Sequence, residues 1–299
     1  MTSASTVHDD ALISAGALRR RMDALDPVVD HEELTRLSLE VKYGDGLFVH
    51  AAYTVAFARQ VAVPSIARIV HRRGTGDMMK DVRRRNDDTL VFFGEMLRNG
   101  HSSAAGRAAV DRMESIHAHF GITDDDKRYT LASLAFEPDR IAENLGLHLF
   151  TGGERLARFL FWRGIGELMG LDVPERRSEF LDWALAYECR YAYTESGRAL
   201  VDQLSVDWRE RWFPGRTARY ADPVLFSIYG PQLCATHRLD EPTARTRALT
   251  ARAMKTYAHS TATRPHRLGR SWVDHFGGVH GQPLDIADYG YRARARAHA

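Results

Sequence analysis

Apolar positions along the chain recur mostly at spacings of three and four, the period of helices that bury one face. Arg83 to Leu97 follows that period and closes on Asn99-Gly100, a C-cap pair. Ser103 is placed to open the next helix, which should run to Phe120 and stop at Gly121. Thr123-Asp-Asp-Asp126 has the acidic first turn that complements a helix dipole. The helix it starts is expected to end near Pro138, because the residue before a proline resists the α region. Thr151-Gly-Gly-Glu154 is a capping box, opening a helix through Met169 that Gly170 closes. Pro174 should begin a further helix carrying Phe180, Trp183, Ala184, Tyr187 and Tyr191. Period-two alternation is nearly absent and there is no repeat or linker. The pattern therefore predicts an all-α protein with a single globular helical domain over 27–270. Residues 1–26 are polar with one short amphipathic piece and read as a partly ordered arm. Residues 271–299, with Gly-Gly, Gln-Pro and the ending RARARAHA, read as an irregular tail.

Composition narrows the possible partners. With 299 residues, 44% of them hydrophobic, the chain can bury a large core. A formal charge of +2, with basic residues scattered rather than striped, gives no reason to expect nucleic acid. No apolar run is long enough to span a bilayer, since FLFW at Phe159 to Trp162 is broken at once by Arg163 and Gly164. The start, MTSASTVHDD, lacks the positive and apolar regions of a secretory signal. Cys189 and Cys234 form no metal motif or disulfide framework, which suits a reducing compartment. The expected location is cytoplasmic.

Within that frame one stretch carries candidate chemistry. Val110, Met113, His117 and Phe120 share one helical face, whereas His119 lies about 200° from His117 at roughly 100° per residue. His117 should face the interior and His119 the solvent. A lone interior histidine is either a hydrogen-bonded core residue or a metal ligand, and in an apolar helical core it suits the proximal side of a haem iron. On the preceding helix Arg85, Asp88, Thr89 and Phe93 form a stripe continued by Met96 and Leu97. Such a stripe is either an exposed Arg–Asp edge or the polar wall of a cofactor pocket. Glu114-Ser-Ile-His117 has the ExxH spacing of di-iron bundles, but no second ExxH accompanies it. Zinc is no better served, because no HExxH exists and His275 and His280 lie in a glycine-rich tail where the sequence offers no obvious carboxylate partner. No GxSxG elbow, P-loop or dinucleotide fingerprint is present.

Taken in order, AFARQVAVPSIARIVHRRGTG, RRRNDDT, MESIHAHF, RYTLASLAFEPDRI, GGERLARFLFWRGIGELMGLDVP and FLDWALAYE resemble the oxygenase family of the latex-clearing rubber oxygenases and the mycophenolic acid pathway oxygenase. The resemblance covers roughly 47–204 and is nearest to the mycophenolic-type branch over 129–174. It implies an interior pocket for haem b, with His117 as the proximal iron ligand. The rubber enzymes place an arginine, a lysine and a threonine beside the haem. Arg85 and Thr89 match the first and third, and Asp88 stands in place of the lysine that caps the iron distally in the resting rubber enzyme. None of the four lysines, Lys42, Lys80, Lys127 and Lys255, fits that slot.

The resemblance further implies oxidation of a hydrophobic small molecule by dioxygen or peroxide, either C=C cleavage or another secondary-metabolite oxidation. Arg85, Asp88 and Thr89 would act on the distal side. Met113, Phe120 and Arg163 would contact the cofactor, with Arg163 either holding a propionate or paired in a salt bridge. Phe93, Met96 and Phe136 would line the substrate pocket. Two alternatives stay open: a haem-binding or peroxidase-like protein without oxygenase activity, and a cofactor-free helical interaction protein in which His117 is merely packed.

Overall fold

A computed structural model describes residues 11–277 and 284–291. The start MTSASTVHDD, His280 and the ending RARARAHA lie outside the described residues. Among the described residues helices dominate, and extended pairing is limited to β1 (Leu12–Ile13) against β2 (His266–Arg267). The arm is thus built in from its first described residues. Ser14 caps α1 (Ala15–Asp23), whose Leu18 and Met22 are buried.

Leu18 and Met22 belong to a small N-terminal core with Leu34 of α2 (His31–Arg36), Leu37 and Val41 of the π-helical turn that follows, and Ala157. The main core surrounds α3 (Gly46–Gln60), which is apolar on nearly every side and accordingly enclosed. After α3 the chain bends by 110° into α4 (Pro64–His71), where Pro64 occupies the first turn and needs no amide partner. A short α5 (Asp77–Lys80) leads into α6 (Val82–Asn99), capped by Asp81 and ended by Gly100 at φ +73°. Ser103 then caps α7 (Ala104–His117), and Thr123 caps α8 (Asp124–Asn144). The box of Thr151 and Glu154 opens α9 (Gly152–Leu168), with both reciprocal bonds made. Around these pack α10 (Arg177–Tyr187), α11 (Glu195–Trp212), α12 (Ala221–His237), α13 (Ala244–Thr263) and α14 (Trp272–Phe276).

Four boundaries differ from those the sequence predicts. Helix α7 ends at His117, because the amides of His119 and Phe120 turn to Ile116 and His117, three residues back, and tighten the chain before Gly121. Helix α8 runs through Pro138 to Asn144. A proline disturbs the carbonyls of the preceding turn, and Ala135 O in that turn accepts from buried Arg158 Nε at 2.8 Å. Helix α10 begins at Arg177 rather than Pro174 and stops at Tyr187, so Tyr191 lies beyond it. The tail is partly regular: α14 packs on α6, where Val273 sits over Gly94, and the turn Ile286–Asp288 lies against α7.

Candidate active site

One cavity, with about 200 Å³ open to water-sized spheres, is walled by α3, α4, α6, α7, α8, α9 and the tail. Most of its lining is apolar: Ile66, Phe93, Met113, Ile116, Leu131 and Leu134 are among the residues that face it.

Helix α7 supplies Met113 and His117, and the turn after it supplies Phe120. The His117 ring is about a quarter exposed, so it stands at the cavity wall rather than deep in the core. Its Nδ1 lies 2.7 Å from Glu114 Oε1, one helical turn back. The other carboxylate oxygen, Oε2, accepts from Lys127 Nζ of α8 at 2.5 Å. A carboxylate only accepts, so the Nδ1 proton belongs to this bond, and in the neutral ring the lone pair falls on Nε2. Burial raises the Glu114 carboxyl, but the bonds and charges of His117 and Lys127 outweigh it and hold the group below its ordinary value. His119 is exposed, and its Nδ1 pairs with Ser115 O at 2.8 Å.

Helix α6, packed beside α7, brings the polar stripe. Arg85, Asp88, Thr89, Phe92 and Phe93 of α6 all line the cavity. Thr89 Oγ1 donates to Arg85 O at 2.9 Å, and Asp88 Oδ2 accepts from Gly290 N at 3.1 Å. Tyr53 of α3 joins them. Its hydroxyl donates to Asn86 Oδ1 at 3.0 Å, and burial pushes its pKa up to about 12 against the Arg85 charge. Behind Asn86 lies a buried chain in which Asn86 Nδ2 donates to Asp207 Oδ2 (2.7 Å), Asp207 Oδ2 pairs with His50 Nε2 (3.0 Å), and Trp212 Nε1 donates to His50 Nδ1 (3.0 Å). Burial lowers the His50 pKa, with Asp207 opposing, which keeps the imidazole neutral near neutral pH.

The structure brings together Arg85, Asp88, Thr89, Phe93, Met113, His117 and Phe120 around this cavity, but not Met96, Phe136 or Arg163. Met96 is fully buried in the core. Phe136 packs on Phe180 at 5.5 Å, with Arg177 over its face. Arg163 Nη2 pairs with Glu167 Oε1 at 2.8 Å, the salt bridge already weighed against a propionate contact. Sequence reasoning missed Tyr53, Asp126, Lys127, Arg72 and the tail pair Gly290–Tyr291. Buried Asp126 accepts from Ser65 and Tyr187 at Oδ1, and its Oδ2 has no partner. Arg72 lies 5.4 Å from the Phe120 ring and 5.3 Å from that of Tyr291. Only the acidic first turn around Asp126 hinted at any of these, and it was explained by the helix dipole.

Comparisons with known proteins fall on the same part of the chain. A family model described as ER-bound oxygenase mpaB/B'/rubber oxygenase, catalytic domain, matches residues 42–259. ER-bound oxygenase mpaB of Penicillium brevicompactum is 27% identical over 169 residues, covering 50% of this chain and 43% of that protein. The corresponding protein of Penicillium roqueforti is 26% identical over 178 residues, covering 54% of this chain and 59% of its own length. The match to each of these fungal relatives thus spans less than two thirds of its length. A structure of latex clearing protein LCP in the closed state aligns with a TM-score of 0.51 at 17% identity, over 86% of this chain and 76% of that one, a likeness of fold. Among the described residues, no single helix is long and apolar enough to cross a membrane.

Proposed function

From the chain's membership of the family of mpaB and rubber oxygenase catalytic domains, we propose that it is a haem b-dependent oxygenase of a hydrophobic small molecule. The observation that carries this reading is the Glu114–His117 pair at the wall of an apolar cavity. A metal-ligating histidine commonly gives its other ring N–H to a carboxylate, which orients the ring and raises its basicity. His117 meets that condition with Nδ1 held and Nε2 left for iron. Arg72 and Arg85, the guanidinium groups of the lining, suit the two propionates.

Haem bound here would supply the activation of dioxygen or peroxide that oxidation of an alkene requires. The chain's own residues do the remaining work. Lys127 fixes the Glu114 carboxylate, which fixes the imidazole. Arg85 and Thr89 place hydrogen-bonding groups on the wall formed by α6, while Phe92, Phe93, Leu131 and Leu134 exclude water and admit an apolar substrate. Asp88, in place of the family lysine, holds the tail amide through one oxygen and puts no ammonium on this wall. Haem held by His117 would therefore find no lysine amine among the α6 side chains that line the cavity.

The test is an absorption spectrum of purified protein expressed with ample haem precursor. A Soret band is expected; His117→Ala loses it and His119→Ala keeps it. Steady dioxygen consumption with an isoprenoid substrate separates an oxygenase from a mere haem carrier. No Soret band in the wild type, or full haem and activity in His117→Ala, sinks the assignment.

A further inference from the structure

Away from the cavity wall, three ligand atoms converge where α2 meets the turn between α6 and α7. His31 Nε2 lies 3.0 Å from His101 Nε2, and His101 Nε2 lies 3.2 Å from Glu32 Oε1. Two ligands each about 2.1 Å from a small divalent ion, at angles between octahedral and tetrahedral, stand roughly 3.0–3.4 Å apart. The observed separations fall in that interval, and the candidate ligand atoms of all three residues lie within 4.8 Å of one another.

The surroundings orient each ligand. His31 Nδ1 donates to Val28 O at 2.8 Å, so the lone pair of the neutral ring is on Nε2, facing the cluster. Ser102 holds Glu32 from both sides, its amide at 2.8 Å from Oε1 and its hydroxyl at 2.7 Å from Oε2. Two glycines leave room for the ligands. A Cβ on Gly164 would stand 2.3 Å from His101 Nε2, and one on Gly100 would stand 2.4 Å from Glu32 Oε2. The His101 ring also rests edge-on against Phe161, with centroids 5.7 Å apart.

We propose that His31, Glu32 and His101 form a second metal site, separate from the cavity, for a divalent first-row transition-metal ion of the zinc and iron(II) class. Two imidazoles and one carboxylate are a borderline donor set that prefers such ions to Mg²⁺ or Ca²⁺, which take oxygen cages. Binding moves the His101 proton from Nε2 to Nδ1 and leaves the remaining coordination positions to water. The bound ion clamps the N-terminal layer to the α6–α7 turn, with α9 behind it.

Chelator-treated full-length protein is titrated with Zn²⁺ by calorimetry, and with Co²⁺ while visible absorption is followed. One ion per chain is expected, with a rise in Tm on adding Zn²⁺. His31→Ala and His101→Ala each weaken binding by at least about tenfold, and the double variant loses both binding and the Tm rise. Glu32→Gln, which retains the acceptor for Ser102, keeps the fold testable and is also expected to weaken binding. His117→Ala leaves Zn²⁺ binding unchanged, which separates this site from the haem reading. A wild type that binds no Zn²⁺, or a folded double variant that binds it equally well, overturns the proposal.

Discussion

Glu114→Gln isolates the part of the His117 arrangement that depends on charge. The amide keeps the shape and an oxygen able to accept from Nδ1, but removes the negative charge that both His117 and Lys127 face at 2.7 and 2.5 Å. A charge-assisted bond exceeds an ordinary one by about 1 kcal/mol, so haem affinity should fall about fivefold. Glu114→Ala removes the bond altogether, about 1.5–3 kcal/mol in a buried setting. The pair is 26% and 27% exposed, so water recovers part of that loss, and a fall of about ten- to thirtyfold is expected. Haem transfer to an excess of apomyoglobin, followed at the Soret maximum, measures both losses. Far-UV circular dichroism confirms that the variants fold. The reasoning is refuted if both variants hold haem like wild type while His117→Ala releases it, for then Nδ1 orientation contributes nothing to the ligand.

Further expectations concern turnover, pH and the buried network. Thr89→Ala should keep most of its haem and Arg85→Ala should bind it more weakly, yet both should lose substrate-dependent oxygen uptake by about tenfold or more, read as turnover per Soret absorbance. Glu40 is fully buried, and its pKa is raised to about 8 by desolvation that the bonds from Ser271 and Trp272 only partly offset. The folded state therefore keeps a proton that the unfolded chain releases near pH 4.5, so this group's contribution to stability falls as pH rises from about 4.5 to 8. Glu40→Gln should remove that component, with Tm relative to wild type improving as pH is raised. Asn86→Leu leaves the Tyr53 hydroxyl and one Asp207 bond without their partner, a loss of about 2–4 kcal/mol by urea denaturation.

Local features of this chain were legible because they rest on local physics. The caps at Ser103, Thr123 and Thr151 satisfy amides within three residues of themselves. The face of Met113 and His117 is a matter of helical period alone. Glu114 was weighed only as a metal ligand and set aside for want of a second ExxH. The same three-residue spacing is what lets its carboxylate reach His117 Nδ1, a role in which no second motif is needed. Failures came where distant chain decides. Arg158, from another helix, donates to the Ala135 carbonyl in the turn before Pro138. Phe136 and Met96 follow a helical stripe past the point where it leaves the cavity for the core. Tyr53 and Gly290 reach the site only through tertiary packing.

The bond between Asp88 Oδ2 and Gly290 N joins residues 202 positions apart. Gly290 sits at φ +82°, and a Cβ there would lie 2.6 Å from Ile116 Cδ1, so this part of the wall has been fitted closely to α7. Among the described residues, Gly290 and Tyr291 come after helices α1 to α14 in the chain. The cavity wall is therefore completed by the last described stretch of the chain, and a truncation before Gly290 would take away the amide that Asp88 Oδ2 accepts from.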